Sequence, residues 1–289
     1  MELFRSQSNS NRQSIKFKLP CQQRITNDTD SNTTASWLTV ESLLSYTNGN
    51  VALLKGTLER SKAVAVKFGD LSEIVTEYKA AEKLFEAKLT GFFKFICMFQ
   101  CNDNFRDILA QNYASRPHIC HGEGESIGTI VMPYYPLGSL DNYKWTKTQI
   151  PEFKNVLKQI CFALFVAFKI TGFVHMDLHA GNVVMRATQK RNLDYSGHAS
   201  LPVVGGKYAM IMDFQKYCLN DADAFVRSLE RVIQTACTSS ASDVVFDFTA
   251  APIRAWAQRH TGLTTGAFSN LAALIDDIEL RFVRSGGCV

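Results

Sequence analysis

Two carboxylates, an amide and an ammonium are arranged along this sequence in a way that suits phosphoryl chemistry. Transfer of a phosphoryl group asks little covalent help of a protein. It needs a carboxylate beside the incoming hydroxyl, oxygen ligands for magnesium, and positive charge on the phosphates. Asp177 and Asn182 lie on one short polar stretch, His175-Met-Asp-Leu-His-Ala-Gly-Asn182. They can meet the first need and part of the second. Downstream, Ala209-Met-Ile-Met-Asp213 reads as an apolar strand that delivers one carboxylate to its end, and carboxylate oxygens are what a hard cation prefers. Upstream, Ala63-Val-Ala-Val-Lys67 ends an apolar run in an ammonium. Each has a plainer explanation when taken singly: Asp177 capping a turn, Asp213 ending a strand, Lys67 a solvated strand end. Their order along the chain, around a long buried helix, favours the chemistry.

The elements that must position these residues read as follows. Residues 1–36 are rich in Ser, Asn, Gln and Thr and read as a flexible arm, although Ile15–Leu19 alternates apolar and basic and fits an edge strand. Val51–Leu54, Ala63–Phe68 and Thr129–Met132 read as strands around one helix, Leu71–Leu89. Pro136-Leu-Gly138 is a loop signal. Pro151 suits a helix start, and Phe153–Ile170 is apolar nearly all round, as a buried central helix should be. Val183–Met185 and Tyr208–Met212 are short strands flanking a polar loop, Thr188–Lys207. Ala222–Thr235 and Leu271–Val283 are predicted helices, with Asp221 or Asp223 at the start of the first. The fold class is therefore α+β, a β-rich region at 37–135 followed by a helical one at 136–289.

Composition narrows the class of protein. The 289 residues are 46% apolar and 20% charged, with a net charge of +4. That balance is too weak to imply nucleic acid as a partner. No apolar run reaches the roughly 18–20 residues of a membrane span, and there is no basic start followed by an apolar stretch as in a secretory signal. Eight cysteines lie scattered without CxxC pairs, and those in apolar stretches (Cys97, Cys161, Cys237) read as core thiols of a reducing compartment. A cytoplasmic protein is expected.

The polar stretch and the strand after it resemble the protein-kinase set HxDxxxxN and DFG, the latter reading Asp-Phe-Gln here. The resemblance implies a two-lobed protein-kinase-like fold, with ATP and Mg2+ as cofactors. It makes Asp177 the catalytic base, Asn182 and Asp213 the magnesium ligands, and His175 a structural residue beneath Phe214. Ala63–Lys67 resembles the VAIK strand, so Lys67 contacts the phosphates and pairs with a helix glutamate; Glu77 is chosen, with Glu73 and Glu82 as candidates. Val131-Met-Pro-Tyr-Tyr-Pro-Leu-Gly-Ser-Leu140 resembles the kinase hinge, which makes Met132 the gatekeeper and lets Pro133, Tyr134 and Tyr135 read the adenine edge through their backbone. Gln159, with Ala163-Leu164, matches the helix before the catalytic loop. Gly49, in Thr47-Asn-Gly49-Asn-Val51, stands where the glycine-rich loop should be, and Val51 and Ala65 are nucleotide contacts by the same resemblance.

Three departures shape the expected function. The arginine of HRD is Met176, the glycine of DFG is Gln215, and no Ala-Pro-Glu segment follows Asp213. A shortened helical lobe results. Asp-Leu-His-Ala-Gly-Asn also resembles the aminoglycoside and choline phosphotransferases. The combination is similar to the compact Ser/Thr protein kinases of large DNA viruses, which would place the chain in a host cytoplasm or a virion, acting on a protein Ser or Thr hydroxyl. A small-molecule kinase is the second reading. A pseudokinase acting as a binding or virion component is the third, and retention of Lys67, Asp177, Asn182 and Asp213 argues against it.

Overall fold

A computed structural model describes residues 15–18, 23–24, 37–47, 51–58, 62–100, 127–238, 244–247 and 249–282. The N-terminal region is a β-sheet and helices follow it. The chain divides into two compact units: residues up to Val75 with Phe95–Tyr134, and Thr76–Lys94 with the chain from Tyr135 onward.

The first unit is built on one antiparallel sheet. Its strands are β1 (Ile15–Lys18), β2 (Gln23–Arg24), β3 (Trp37–Thr47), β4 (Val51–Leu58), β5 (Lys62–Asp70), β6 (Cys97–Gln100) and β7 (Ile127–Pro133). They are ordered β1-β3-β4-β5-β7-β6-β2. The edge strand expected from Ile15–Leu19 is present, pairing with β3. The central ladder is regular: Ala65 faces Lys55 on β4 and Met132 on β7, and Lys67 faces Leu53 and Ile130. Directly opposed residues share a face of a sheet, and so do residues two apart on a strand. Val51, Ala65, Lys67 and Met132 therefore line one face. Cys97 on β6 is disulfide-bonded, against the expectation of thiols throughout. The sheet lays segments distant in sequence side by side, which no count of apolar neighbours foresees.

Helix α1 (Leu71–Glu86) runs from the first unit into the second. Asp70 caps it, its carboxylate accepting from the amides of Ser72 at 2.7 Å and Glu73 at 3.3 Å. Its buried stripe is Ile74, Tyr78, Ala81 and Leu84, the spacing of one helix face.

The second unit is organised around α2 (Ile150–Thr171), with Pro151 in its first turn. Every residue from Ile160 to Ala167 is buried. The helix stops at Gly172, whose φ of 72° is left-handed and whose amide returns to the Phe168 carbonyl. A Cβ there would lie 2.2 Å from Asn220 Oδ1. That stop aims β8 (Phe173–His175) back along the helix. Strands β9 (Val183–Ala187) and β12 (Lys207–Ile211) pair antiparallel, and β13 (Tyr217–Leu219) pairs with β8.

The polar stretch 188–207, expected as a loop, contains a hairpin of β10 (Asn192–Tyr195) and β11 (Ala199–Pro202). Leu193, Tyr195 and Leu201 are buried in a sequence whose composition is otherwise polar. Helices α3 (Ala222–Cys237), α4 (Ala251–Arg259) and α5 (Thr265–Asp276) complete the unit, with β14 (Val244–Asp247) paired to β15 (Glu279–Phe282). The predicted helix Leu271–Val283 is thus corrected. Asp276 and Asp277 put two carboxylates at a helix C-terminus, where the dipole opposes them, and the residues after them enter a strand. Trp256 on α4 donates through Nε1 to the Ala267 carbonyl of α5, 3.0 Å. Cys161 and Cys237 are free and buried, and burial pushes both thiols up to about 12. Among the described residues no helix is long and apolar enough to cross a membrane.

Candidate active site

The polar loop between β8 and β9 is fixed from three directions. His175 is fully buried. Its Nε2 lies 2.9 Å from the Met212 carbonyl, and its Nδ1 accepts the Asp177 amide at 3.2 Å. These partners set the tautomer, with the proton on Nε2. Burial holds the imidazole below its ordinary value near 6.5, so it is neutral. Phe214 is also fully buried and packs edge-on to His175 and Phe173, with centroids 6.0 Å away in each case. The structural role expected for His175 beneath Phe214 is what this geometry provides.

Asn182 closes the loop. Its Nδ2 donates to the Asp177 carbonyl at 2.9 Å. The Asn182 carbonyl accepts the Met212 amide, also at 2.9 Å. Asn182 precedes β9 and Asp213 follows β12, and the ladder places Val183 opposite Ile211. One step past the ladder Asn182 is beside Met212, and Asp213 is the next residue of that segment. Asp213 has φ 65°, a left-handed conformation that asparagine and aspartate reach more easily than other side chains. Such a conformation costs about 1–3 kcal/mol and clusters at functional sites. Two residues on, Gln215 Nε2 is buried with no hydrogen-bond acceptor among the described residues.

Asp177 is held by two cations that sequence reasoning did not find. Lys216 Nζ lies 3.0 Å from Oδ2 and Arg231 Nη1 2.8 Å from Oδ1. The hydrogen bond from Lys216 is the main reason the Asp177 carboxyl sits below the usual carboxylate range. Lys216 follows Gln215 on the turn into β13, and Arg231 projects from α3. One turn further along α3, Thr235 Oγ1 accepts the Ala180 amide at 2.9 Å and so ties the same helix to the loop that carries Asp177. Asp221 caps α3, its carboxylate accepting the Ala224 amide at 2.8 Å. No local signal marks Lys216 or Arg231. They meet Asp177 only through the packing of β13 and α3.

The remaining expected site residues fall as follows. In the first unit Lys67 and Met132 are buried, at 6% and 2% exposure, beside the equally buried Ala65. A buried ammonium is kept for charge rather than for packing, which speaks against a solvated strand end. Pro133 ends β7, and the Tyr134 amide donates to the Ala63 carbonyl at 3.0 Å. Tyr134 is thereby committed to the sheet, and its ring carries Lys55 Nζ 5.3 Å from the centroid. In the second unit Glu77 is fully buried and Glu82 half-buried, whereas Glu73, in the first unit, is exposed. Tyr135 packs on Phe93, with centroids 5.5 Å apart. Gly49 lies outside the described residues, and Val51 is placed by backbone register alone.

Among the described residues no cluster of three or more His, Cys, Asp or Glu side chains could hold a metal by itself. Magnesium asks less, since one or two side-chain oxygens and substrate phosphates suffice. Asn182 Oδ1 and the Asp213 carboxylate are hard oxygen donors that fit that requirement.

No protein-family model and no curated protein matches the chain. Among solved structures it is similar to one described as "WaaP in complex with acyl carrier protein". That likeness spans 81% of this chain and 88% of the other at 10% identity, with a TM-score of 0.44.

Proposed function

We propose that this chain is a magnesium- and ATP-dependent phosphotransferase of the protein-kinase-like kind, two-lobed, with a protein Ser or Thr hydroxyl as its acceptor. One observation carries the reading: a single unit gathers Asp177, Asn182 and Asp213 at adjoining strand ends, over a neutral, fully buried histidine. Asp177 receives the acceptor's proton as the acceptor oxygen bonds to the γ-phosphorus and the bond from that phosphorus to the bridging oxygen breaks. Asn182 and Asp213 hold the magnesium, whose charge, when bound, offsets that of the phosphates. Lys67 and Glu77 keep, in this reading, the roles of the strand lysine and the helix glutamate. Val51, Ala65 and Met132 are the adenine contacts in this reading, the backbone of Pro133, Tyr134 and Tyr135 has the hinge role, and Gly49 keeps the role of the glycine-rich loop. Gln215 Nε2 is a buried donor that an incoming phosphate oxygen would satisfy.

A small-molecule acceptor is the second reading. It is favoured by the short path from Asp213 through β13 to the Asp221 cap, which leaves little chain to dock a peptide.

The metal assignment is checked by thermal shift with ATP, with and without magnesium. Wild type should show a magnesium-dependent rise in melting temperature, and Asp213→Ala should lose most of it, because metal and phosphates enter as one charge-balanced unit. A magnesium-dependent shift that survives the substitution would place the metal elsewhere.

A further inference from the structure

Asp177 faces more positive charge than a general base needs. Each of its oxygens is occupied, Oδ2 by Lys216 at 3.0 Å and Oδ1 by Arg231 at 2.8 Å. The His179 ring adds a further favourable charge effect on the carboxylate. One carboxylate thus meets two full cations, a local surplus of one positive charge. The surplus is not required for the nucleotide, because the proposed function already assigns magnesium and Lys67 to the phosphates. It is also not buried structure: the Lys216 and Arg231 side chains are 70% and 50% exposed. An ammonium has three donors and a guanidinium five, so most of their hydrogen-bonding capacity faces solvent.

The occupied oxygens pose a second problem. A base must reach the hydroxyl it deprotonates within about 2.6–3.2 Å. With both oxygens taken, an acceptor has to displace one cation. A neutral hydroxyl would replace a charge-assisted contact with a weaker neutral one. An acceptor with its own anion beside the hydroxyl gives the displaced cation a new partner within the same site.

We propose that Lys216 and Arg231 form a receptor for an anionic group on the acceptor, so that the hydroxyl delivered to Asp177 is one flanked by a phosphate or carboxylate. The inference rests on the phosphotransferase reading above and specifies its substrate. The shared chemistry is the neighbouring anion. Its source is an acidic or phosphorylated residue next to Ser or Thr in a peptide, or the phosphate of a small phosphorylated alcohol. Arg231 suits the planar, two-oxygen face of such a group, and Lys216 supplies a point charge that can follow it.

The test uses the full chain with γ-labelled ATP and magnesium at low and at physiological salt. The peptide acceptors are matched Ser peptides whose neighbouring residues are glutamate, phosphoserine, alanine or arginine. The small-molecule acceptors are a sugar and its phosphate ester. Melting temperature is followed alongside; exposed side chains such as these leave it near wild type. Wild type should favour the anionic acceptor over its neutral match by about tenfold in kcat/KM at low salt, and by less as salt screens the contact. Arg231→Glu and Lys216→Glu should each collapse that ratio and turn preference toward the arginine peptide. Which acceptor set is labelled identifies the source of the anion. Labelling of neutral and anionic acceptors alike, or a ratio that survives both substitutions, overturns the receptor while leaving the phosphotransferase intact. No labelling of any acceptor and no ADP formation overturns both.

Discussion

His175 is held neutral by burial, and the pH dependence of stability should show it. In the unfolded chain its imidazole takes up a proton as pH falls through about 6.5. In the folded chain it does so only at lower pH. Unfolding between those two values therefore binds a proton, and stability should fall as pH drops from about 6.5 toward the folded value. Imidazole NMR should find Nδ1 unprotonated and no titration at 6.5 or above, and a normal titration of His175 would contradict the geometry. At this scale the sequence was most informative where chemistry is local. Asp177 and Asn182 share one loop, and Asp213 lies two residues past the strand beside it, so their grouping was legible from order and spacing. Lys216 is 39 residues from the carboxylate it touches, and Arg231 is on another helix. Nothing short of the packed fold brings them there.

At the scale of elements, Gln159 on α2 is the bolt between the helix and the strand that ends near Asp213. Its Nε2 donates to Asn155 Oδ1 and to the Lys207 carbonyl, and its Oε1 accepts the Ala209 amide, each at 2.9 Å. Asn155 in turn donates to the Pro202 carbonyl and accepts the Val204 amide, which docks the hairpin on α2. Gln159→Ala should cost about 2–4 kcal/mol, since two buried backbone groups lose their partners, and amide exchange at Ala209 should rise with it. Urea unfolding gives the first number and hydrogen exchange the second; a change below about 1 kcal/mol would mean that β12 is held by its ladder alone. The length and burial of α2 were legible because a run apolar on all sides fits few alternatives. The hairpin was not, because Asn155 satisfies the backbone at its end from a helix far away in sequence. The end of α5 was misread for a related reason: periodicity extended the helix past Asp276 and Asp277, where helix polarity stops it.

For the whole molecule, the short path after Asp213 suggests activity without phosphorylation of an activation loop. Regulated kinases order that loop by pairing a phosphate with arginines, one of them just before the catalytic aspartate. Here that position is Met176, 46% exposed, with the Cys218 thiol 3.3 Å from its sulfur. The segment is already fastened: the Met176 amide donates to the Lys216 carbonyl at 2.9 Å, and β13 pairs with β8. Protein made in bacteria and treated with phosphatase should turn over ATP as well as untreated protein. Activity that vanishes on dephosphorylation and returns on rephosphorylation would contradict this. The claim that the molecule transfers a phosphoryl group through Asp177 is tested most directly by comparing γ-phosphate turnover in wild type and Asp177→Asn, with nucleotide affinity measured on the same preparations. Turnover should fall about a hundredfold or more, as loss of a general base does, while ATP binding stays near wild type. Equal turnover in the two proteins would remove Asp177 from the chemistry.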